Sequence, residues 1–199
     1  MSGGLFSGMS VVVPAASDED PAWIADIVAV ARGEASEVLI VLEADADSIA
    51  MRPAIGGFER VRLVFQRGPA DKSGALNTGL EDAKNEFVVF VDADIVLEPG
   101  MLTTLRDMYD DGALFIGANY GRKPSFPILS PSSGWLFAAK RSLLIELGGW
   151  SDDYLEDVAT ARKIQRAGYR IYTAPFSVQL RRGVRRPLTK FVSAAFTRG

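Results

Sequence analysis

The sequence contains neither cysteine nor histidine. Without cysteine there is no disulfide and no thiolate metal site. Without histidine, the Ser-His and Cys-His triads, imidazole general bases and nearly every zinc site drop out as well. Acid–base chemistry must therefore run on carboxylates, lysine or tyrosine. Long hydrophobic runs are also missing, since none approaches the ~18 residues of a membrane span. The segment Met1–Met9 has no cationic stretch followed by an apolar core, so it does not read as a signal peptide, and a cytoplasmic location is the expectation.

A further absence is regional. After Asp157 the chain holds ten Lys and Arg but no Asp or Glu, although the whole sequence carries a net charge of −3. Two readings stand side by side. One is a solvated basic tail, and the other is a surface for phosphate groups on a nucleotide, a lipid carrier or a membrane.

What is present suits one α/β domain: 199 residues, 48% hydrophobic and 24% charged, enough for a core and too apolar for a disordered chain. Short apolar runs over Met9–Pro14, Val38–Leu42, Val61–Phe65 and Phe87–Val91 read as buried strands. Between them, Asp20–Arg32 and Ser73–Ala83 read as helices, the first with Pro21 at its start. Such an alternation predicts a mostly parallel sheet covered by helices on both faces, with ligands at the carboxyl ends of the strands. The second half is more mixed. Strands are expected at Leu114–Ala118, Trp135–Ala139 and Tyr169–Thr173, a loop at Lys123–Ser133, and helices at Ser142–Leu147 and Asp157–Ala167.

Three segments carry chemistry. Asp92-Ala93-Asp94 ends an apolar strand, so its two carboxylates project to one side, roughly 6.6 Å apart along the backbone. They suit a hard divalent cation, Mg2+ or Mn2+, although a plain polar strand end would look the same. Lys72-Ser73-Gly74-Ala75-Leu76-Asn77 offers Lys72 as a point charge for phosphate. Asn77 is a partner for a sugar hydroxyl or a brace for the Asp92–Asp94 loop. Gly148-Gly149-Trp150 leads to Glu156 and Asp157 in the first turn of a helix. These acids complement the helix dipole, or one of them is the general base for an acceptor hydroxyl.

In this order and spacing the segments resemble the family-2 glycosyltransferases. The opening VVVPAASDED, the K-x-G-A-L-N stretch, VVFVDAD and the GGW…Y-L-E-D run match that family's pattern over roughly Val11–Thr173. The resemblance implies a GT-A fold, Rossmann-like, in a single domain spanning 1–199. Residues 9–94 would form the nucleotide-sugar half, 95–176 the acceptor half, and 177–199 a basic C-terminal segment. It further implies that Pro14, Ala15 and Ala16 border the nucleotide base. Asp92, with Ala93, would lie near the ribose or the metal, Asp94 would bind the metal directly, and Asp157 beside Glu156 would be the catalytic base. The expected reaction is an inverting transfer from a nucleoside-diphosphate sugar to a sugar, small-molecule or lipid-linked acceptor.

Two departures shape the details. Where the family commonly has two aspartates after the second strand, this chain has Glu43 and Ala44, followed by Asp45. A UDP-sugar is favoured as donor and a GDP-sugar stays open. In place of Q-x-x-R-W stands Gln179-Leu180-Arg181-Arg182-Gly183. The missing tryptophan argues against a synthase that threads polysaccharide through a bilayer, while Arg181 and Arg182 remain candidates to clamp a diphosphate. Trp135 and Trp150 are candidate stacking platforms for an acceptor, with core packing as the alternative. Leu188–Phe196 reads as a helix that rests on an anionic membrane, packs on the core or joins a dimer. Basic residues without interleaved aromatics give no reason to expect nucleic acid. A glycine-free loop after the first strand sets aside sugar-nucleotide pyrophosphorylases and Rossmann dehydrogenases. The alternative from another class is a non-catalytic homologue that binds a nucleotide or a partner.

Overall fold

The computed structural model describes residues 8–43, 59–120, 136–153 and 155–181. Four strands open the fold: β1 (Met9–Ala15), β2 (Glu37–Leu42), β3 (Val61–Phe65) and β4 (Phe87–Val91). All pair in parallel, in the order β3-β2-β1-β4. Every residue of β2 and β4 is buried, as expected for strands of β-branched and aromatic residues covered on both faces. Helices α1 (Pro21–Glu34) and α2 (Lys72–Asp82) make the crossovers. Asp20 caps α1 by accepting from the Ala22 N–H at 2.9 Å, and Asp71 caps α2 through the Gly74 N–H at 2.9 Å. Side chains of β1 alternate between the two faces. Val11 and Val13 join the core beneath α1, while Val12 joins the core beneath α2.

The remaining half adds β5 (Ile95–Val96), α3 (Met101–Asp110), β6 (Phe115–Tyr120), β7 (Leu136–Lys140), α4 (Arg141–Glu146), α5 (Glu156–Arg166) and β8 (Tyr172–Leu180). The eight-stranded order is β3-β2-β1-β4-β7-β6-β8-β5. Strand β7 runs antiparallel to both β4 and β6, β6 and β8 are parallel, and β5 closes antiparallel on β8. The α/β architecture is thus a three-layer one, with a parallel half and a mixed half.

Three elements differ from the reading of the sequence. The last strand begins at Tyr172 and continues to Leu180. Tyr169 instead closes α5, donating its N–H to the Ile164 carbonyl at 3.2 Å. The strand passes Pro175, which has no N–H to give, where the pairing with β6 shifts register between Thr173 and Ser177. Strand β5 and helix α3 have no counterpart in the sequence reading. The cap of α3 explains why. The Glu34 carboxylate, at the end of α1, accepts from the Gly100 and Thr103 N–H groups at 2.7 and 2.8 Å. A helix capped from 66 residues away carries no local start signal.

Among the described residues no helix is long and apolar enough to cross a membrane. Asp45, Trp135 and Arg182, the loop at Lys123–Ser133 and the segment Leu188–Phe196 lie outside the described residues.

Candidate active site

Parallel pairing aligns the carboxyl ends of β1 to β4, so the loops beginning at Ala16, Glu43, Gln66 and Asp92 share one edge of the sheet. Glu43 reaches across it, accepting from the Ser17 N–H at 3.0 Å. Pro14 and Ala16 are half-buried there and Ala15 is buried. Beyond β4 the burial alternates: Asp92, Asp94 and Val96 are half-exposed, while Ala93, Ile95 and Leu97 are buried. Strand β4 nevertheless ends at Val91, and Asp92–Asp94 form a turn in which the Ile95 N–H donates to the Asp92 carbonyl at 3.4 Å, so strand alternation does not set the direction of the two carboxylates.

Two glycines bring α2 close enough to meet them. A Cβ on Gly79 would sit 2.2 Å from Val12 Cγ1, and one on Gly74 would sit 2.1 Å from the Pro69 carbonyl. Gly79 lets the helix lie directly on β1, and Gly74 lets the preceding loop fold against its first turn, because neither has a side chain. Its first residue, Lys72, then donates to Asp92 at 2.8 Å and pairs with Glu156 of α5 at 3.2 Å. Burial pushes the Asp92 carboxyl up, Lys72 draws it back, and Asp94 and Glu156 push it up again, to about 6. Lys72 is held above the usual lysine range: burial works against its charge, and the two carboxylates outweigh that cost. One lysine thus answers a crowd of carboxylates supplied by β4 and α5.

Asn77 meets a partner that its place in the sequence did not announce. Its Nδ2 donates to the Trp150 carbonyl at 3.0 Å, and its Oδ1 accepts from the Trp150 N–H at 2.7 Å. It braces the turn before Glu156. Gly149 there has φ +65°, and a Cβ on it would fall 2.4 Å from Asn77 Oδ1, so only glycine fits. Trp150 is 4% exposed and packs edge-on against Phe90 and Phe137, at 5.0 and 5.4 Å between ring centroids. It is a core residue, the alternative left open for it. The buried Thr160 hydroxyl accepts from the Ser151 N–H at 3.0 Å and fixes the next stretch of the loop.

Asp157 follows Glu156 in the first turn of α5, about 100° around the helix. It is half-buried and accepts from the Val158 N–H at 2.8 Å. Arg181 points elsewhere. Its backbone N–H donates to the Asp94 carbonyl at 2.8 Å and its Nε to the Ile95 carbonyl at 3.3 Å. Its guanidinium meets Asp26 at 2.7 Å and lies 6.0 Å from the centre of the Trp23 ring. Arg181 therefore ties the strand after Asp94 to α1, a role that its place in a basic run could not have signalled.

The ordered motifs now sit on one sheet edge, and residues 10–156 match the sequence profile described as Glycosyl transferase family 2. The chain belongs to that family. No curated protein matches it. Among solved structures it is similar to a mannosyltransferase from Pyrobaculum calidifontis in complex with GDP-Man and Mn2+, with a TM-score of 0.76 and 23% identity over 95% of this chain and 61% of that one. It is also similar to glucosyl-3-phosphoglycerate synthase from Mycobacterium tuberculosis. With Mg2+ and UDP bound, that structure gives a TM-score of 0.73 and 21% identity over 93% of this chain and 74% of that one. With Mn2+, UDP and phosphoglyceric acid bound, the values are 0.74 and 20%, over 94% and 74%. At such identities the likeness establishes the GT-A type of fold. The chain spans 61% of the length of the mannosyltransferase.

Among the described residues no group of three or more Asp and Glu side chains is placed to hold a metal ion by itself. The carboxylate pair of Asp92 and Asp94 nevertheless fits Mg2+ or Mn2+, which bind through one or two carboxylates and complete their shell with phosphate oxygens and water. The crowded negative charge that raises Asp92 is what a divalent cation would relieve.

Proposed function

We propose that the chain transfers a hexose or related sugar from a nucleoside-diphosphate sugar to an acceptor hydroxyl, with inversion at the anomeric carbon. The observation that carries this reading is the cluster of Lys72, Asp92 and Glu156 at the carboxyl edge of the parallel strands, with Asp94 beside it and Asp157 next in α5. Residues 9–94 serve the donor and 95–176 the acceptor, and 177–199 are a basic C-terminal segment. Pro14, Ala15, Ala16, Glu43 and Asp45 border the base.

Asp94 and Asp92 would hold the metal ion, which when bound supplies Lewis-acid neutralisation of the leaving diphosphate. Lys72 carries a positive charge to the same region and is fixed there by two carboxylates, so it stays ionised. Asp157 accepts the proton of the acceptor hydroxyl as that oxygen bonds to the anomeric carbon. The bond from carbon to the diphosphate oxygen breaks on the opposite face, and the nucleoside diphosphate leaves with the electron pair. Glu156 is engaged by Lys72, and Asp157 takes the place of the base in the family's acidic pair.

The donor is a UDP-sugar or a GDP-sugar. The mannosyltransferase was solved with GDP-Man and the synthase with UDP, and the fold type accommodates both. Calorimetry with UDP, GDP and CDP, each with manganese and with chelator, separates them. One nucleotide should bind in a manganese-dependent manner, and Asp94→Ala should abolish that binding. If none binds, the chain is a non-catalytic member of its family and the transfer reading falls.

A further inference from the structure

Helix α5 presents a second face, away from the acidic cluster. Ala159, Arg162, Lys163 and Arg166 are spaced i, i+3, i+4 and i+7 and share one stripe. Asp157 lies about 200° around the helix from Ala159 and so faces nearly the opposite way. Ser151 and Asp153, from the loop before the helix, form the other wall of a groove of about 370 Å³. The groove is open to solvent, with Asp153, Arg162 and Arg166 exposed and Ser151, Ala159 and Lys163 half-buried. Among the described residues none of the three cations in it has a salt-bridge partner. Lys163 is anchored instead by donating to the Gly149 carbonyl. Burial pushes its ammonium below the usual lysine range, so an anion beside it would restore a stabilised charge. Complementing the C-terminal dipole explains basic residues in the last turn, but not a facing wall with a hydroxyl and a carboxylate.

We propose that this groove binds the phosphate group of a small polyol or sugar phosphate, at a site separate from that of the nucleotide. The two guanidiniums, one turn apart, give forked donors for phosphate oxygens. Lys163 adds a point charge, and Ser151 and Asp153 accept from hydroxyl groups on the body of the ligand. Asp153 also sets the source. A carboxylate on the rim disfavours a continuous anionic surface and suits a discrete ligand with hydroxyls next to its phosphate. The small side chain of Ala159 leaves the floor open. The inference does not rest on the transfer reading.

The test is an amide NMR titration of the full chain with inorganic phosphate and with glucose 6-phosphate. Both should shift amides of residues 149–153 and 159–166, and the sugar phosphate should bind roughly tenfold more tightly through its added hydroxyl contacts. The paired change Arg162→Gln with Arg166→Gln should weaken it by roughly tenfold or more. Ala159→Leu keeps every charge but fills the floor, and should weaken it as well while leaving the rest of the spectrum unchanged. Shifts confined to the surroundings of Lys72 and Asp92, or unchanged affinity in both variants, would overturn the site. Binding only to vesicles of equal parts phosphatidylcholine and phosphatidylglycerol, lost in the paired arginine variant, would overturn the small-ligand assignment in favour of a membrane surface.

Discussion

The two halves of the sheet solve the same problem by different means. In the first, four parallel strands align their carboxyl ends by pairing alone, and Gly79 lets α2 settle on β1. In the second, strand direction is mixed and functional segments are held by single long-range ties. Asn77 holds Trp150 across 73 residues, and Arg181 holds the strand after Asp94 across 86. A regular lattice of strands places ligand groups at its edge at no added cost. An irregular half needs individual polar braces, each of which one substitution removes.

The largest effect should come from the chemistry that joins the halves. Asp157→Asn is expected to lower kcat by ~10²–10⁴, the usual worth of a positioned general base, while nucleotide affinity stays near that of the wild type. Full activity in this variant, measured with the donor that calorimetry selects, would remove Asp157 from its role. In the regular half, Gly79→Val drives a methyl group into Val12 and should cost about 1–3 kcal/mol in urea unfolding, as overpacking does. An unchanged midpoint would mean that α2 can lift off the sheet freely.

Asn77→Ala tests the braces of the irregular half. It removes two hydrogen bonds to Trp150 and should cost about 1–2 kcal/mol, with a shift in tryptophan fluorescence and little change in nucleotide affinity. Loss of nucleotide-sugar affinity at unchanged stability would instead put Asn77 in contact with the sugar. A smaller, pH-dependent effect belongs to Glu37, buried at the start of β2 and paired with Arg62 at 2.8 Å. Burial pushes its carboxyl up, but hydrogen bonds from the Lys84 N–H, Ser10 and Arg62, with the charge of Arg62, bring it below the usual range. The folded carboxyl therefore binds its proton more weakly than the unfolded one. Its stabilisation is complete above pH ~4.3 and is lost as pH falls through the folded value. Arg62→Gln should make the acid loss of stability shallower, and identical slopes for the two proteins would dismiss the pairing as its cause. Smallest of all is Arg67→Ala, which removes exposed pairs with Glu81 and Asp82. It should change stability by less than about 1 kcal/mol, and a larger loss would give that surface a structural role.

Much of the parallel half was legible before any coordinates. Val61–Phe65 and Phe87–Val91 coincide with the observed strands, the helix start at Asp20 carries its cap within two residues, and the helix read over Ser73–Ala83 is found at Lys72–Asp82. Asp92 and Asp94 were legible as a carboxylate pair at the end of β4, but the turn that carries them was not. The purpose of Asn77 was not legible, because an amide can serve a ligand or a loop and only its neighbours decide. The partners of Arg181, a candidate diphosphate clamp, were not legible either, because they lie on α1 and β5, far off in the chain.

The sequence by itself determined the α/β class, the parallel opening half, the absence of histidine and thiol chemistry, and the order of the acidic motifs. Those properties depend on periods of two or 3.6 residues and on which side chains exist. Tertiary structure alone decided that Lys72 stands between Asp92 and Glu156, that α3 is capped by Glu34, and that three cations of α5 face Ser151 and Asp153 across a groove. Each of these depends on contacts between residues whose separation along the chain carries no local energetic signal, so the spacing of letters could not reveal them.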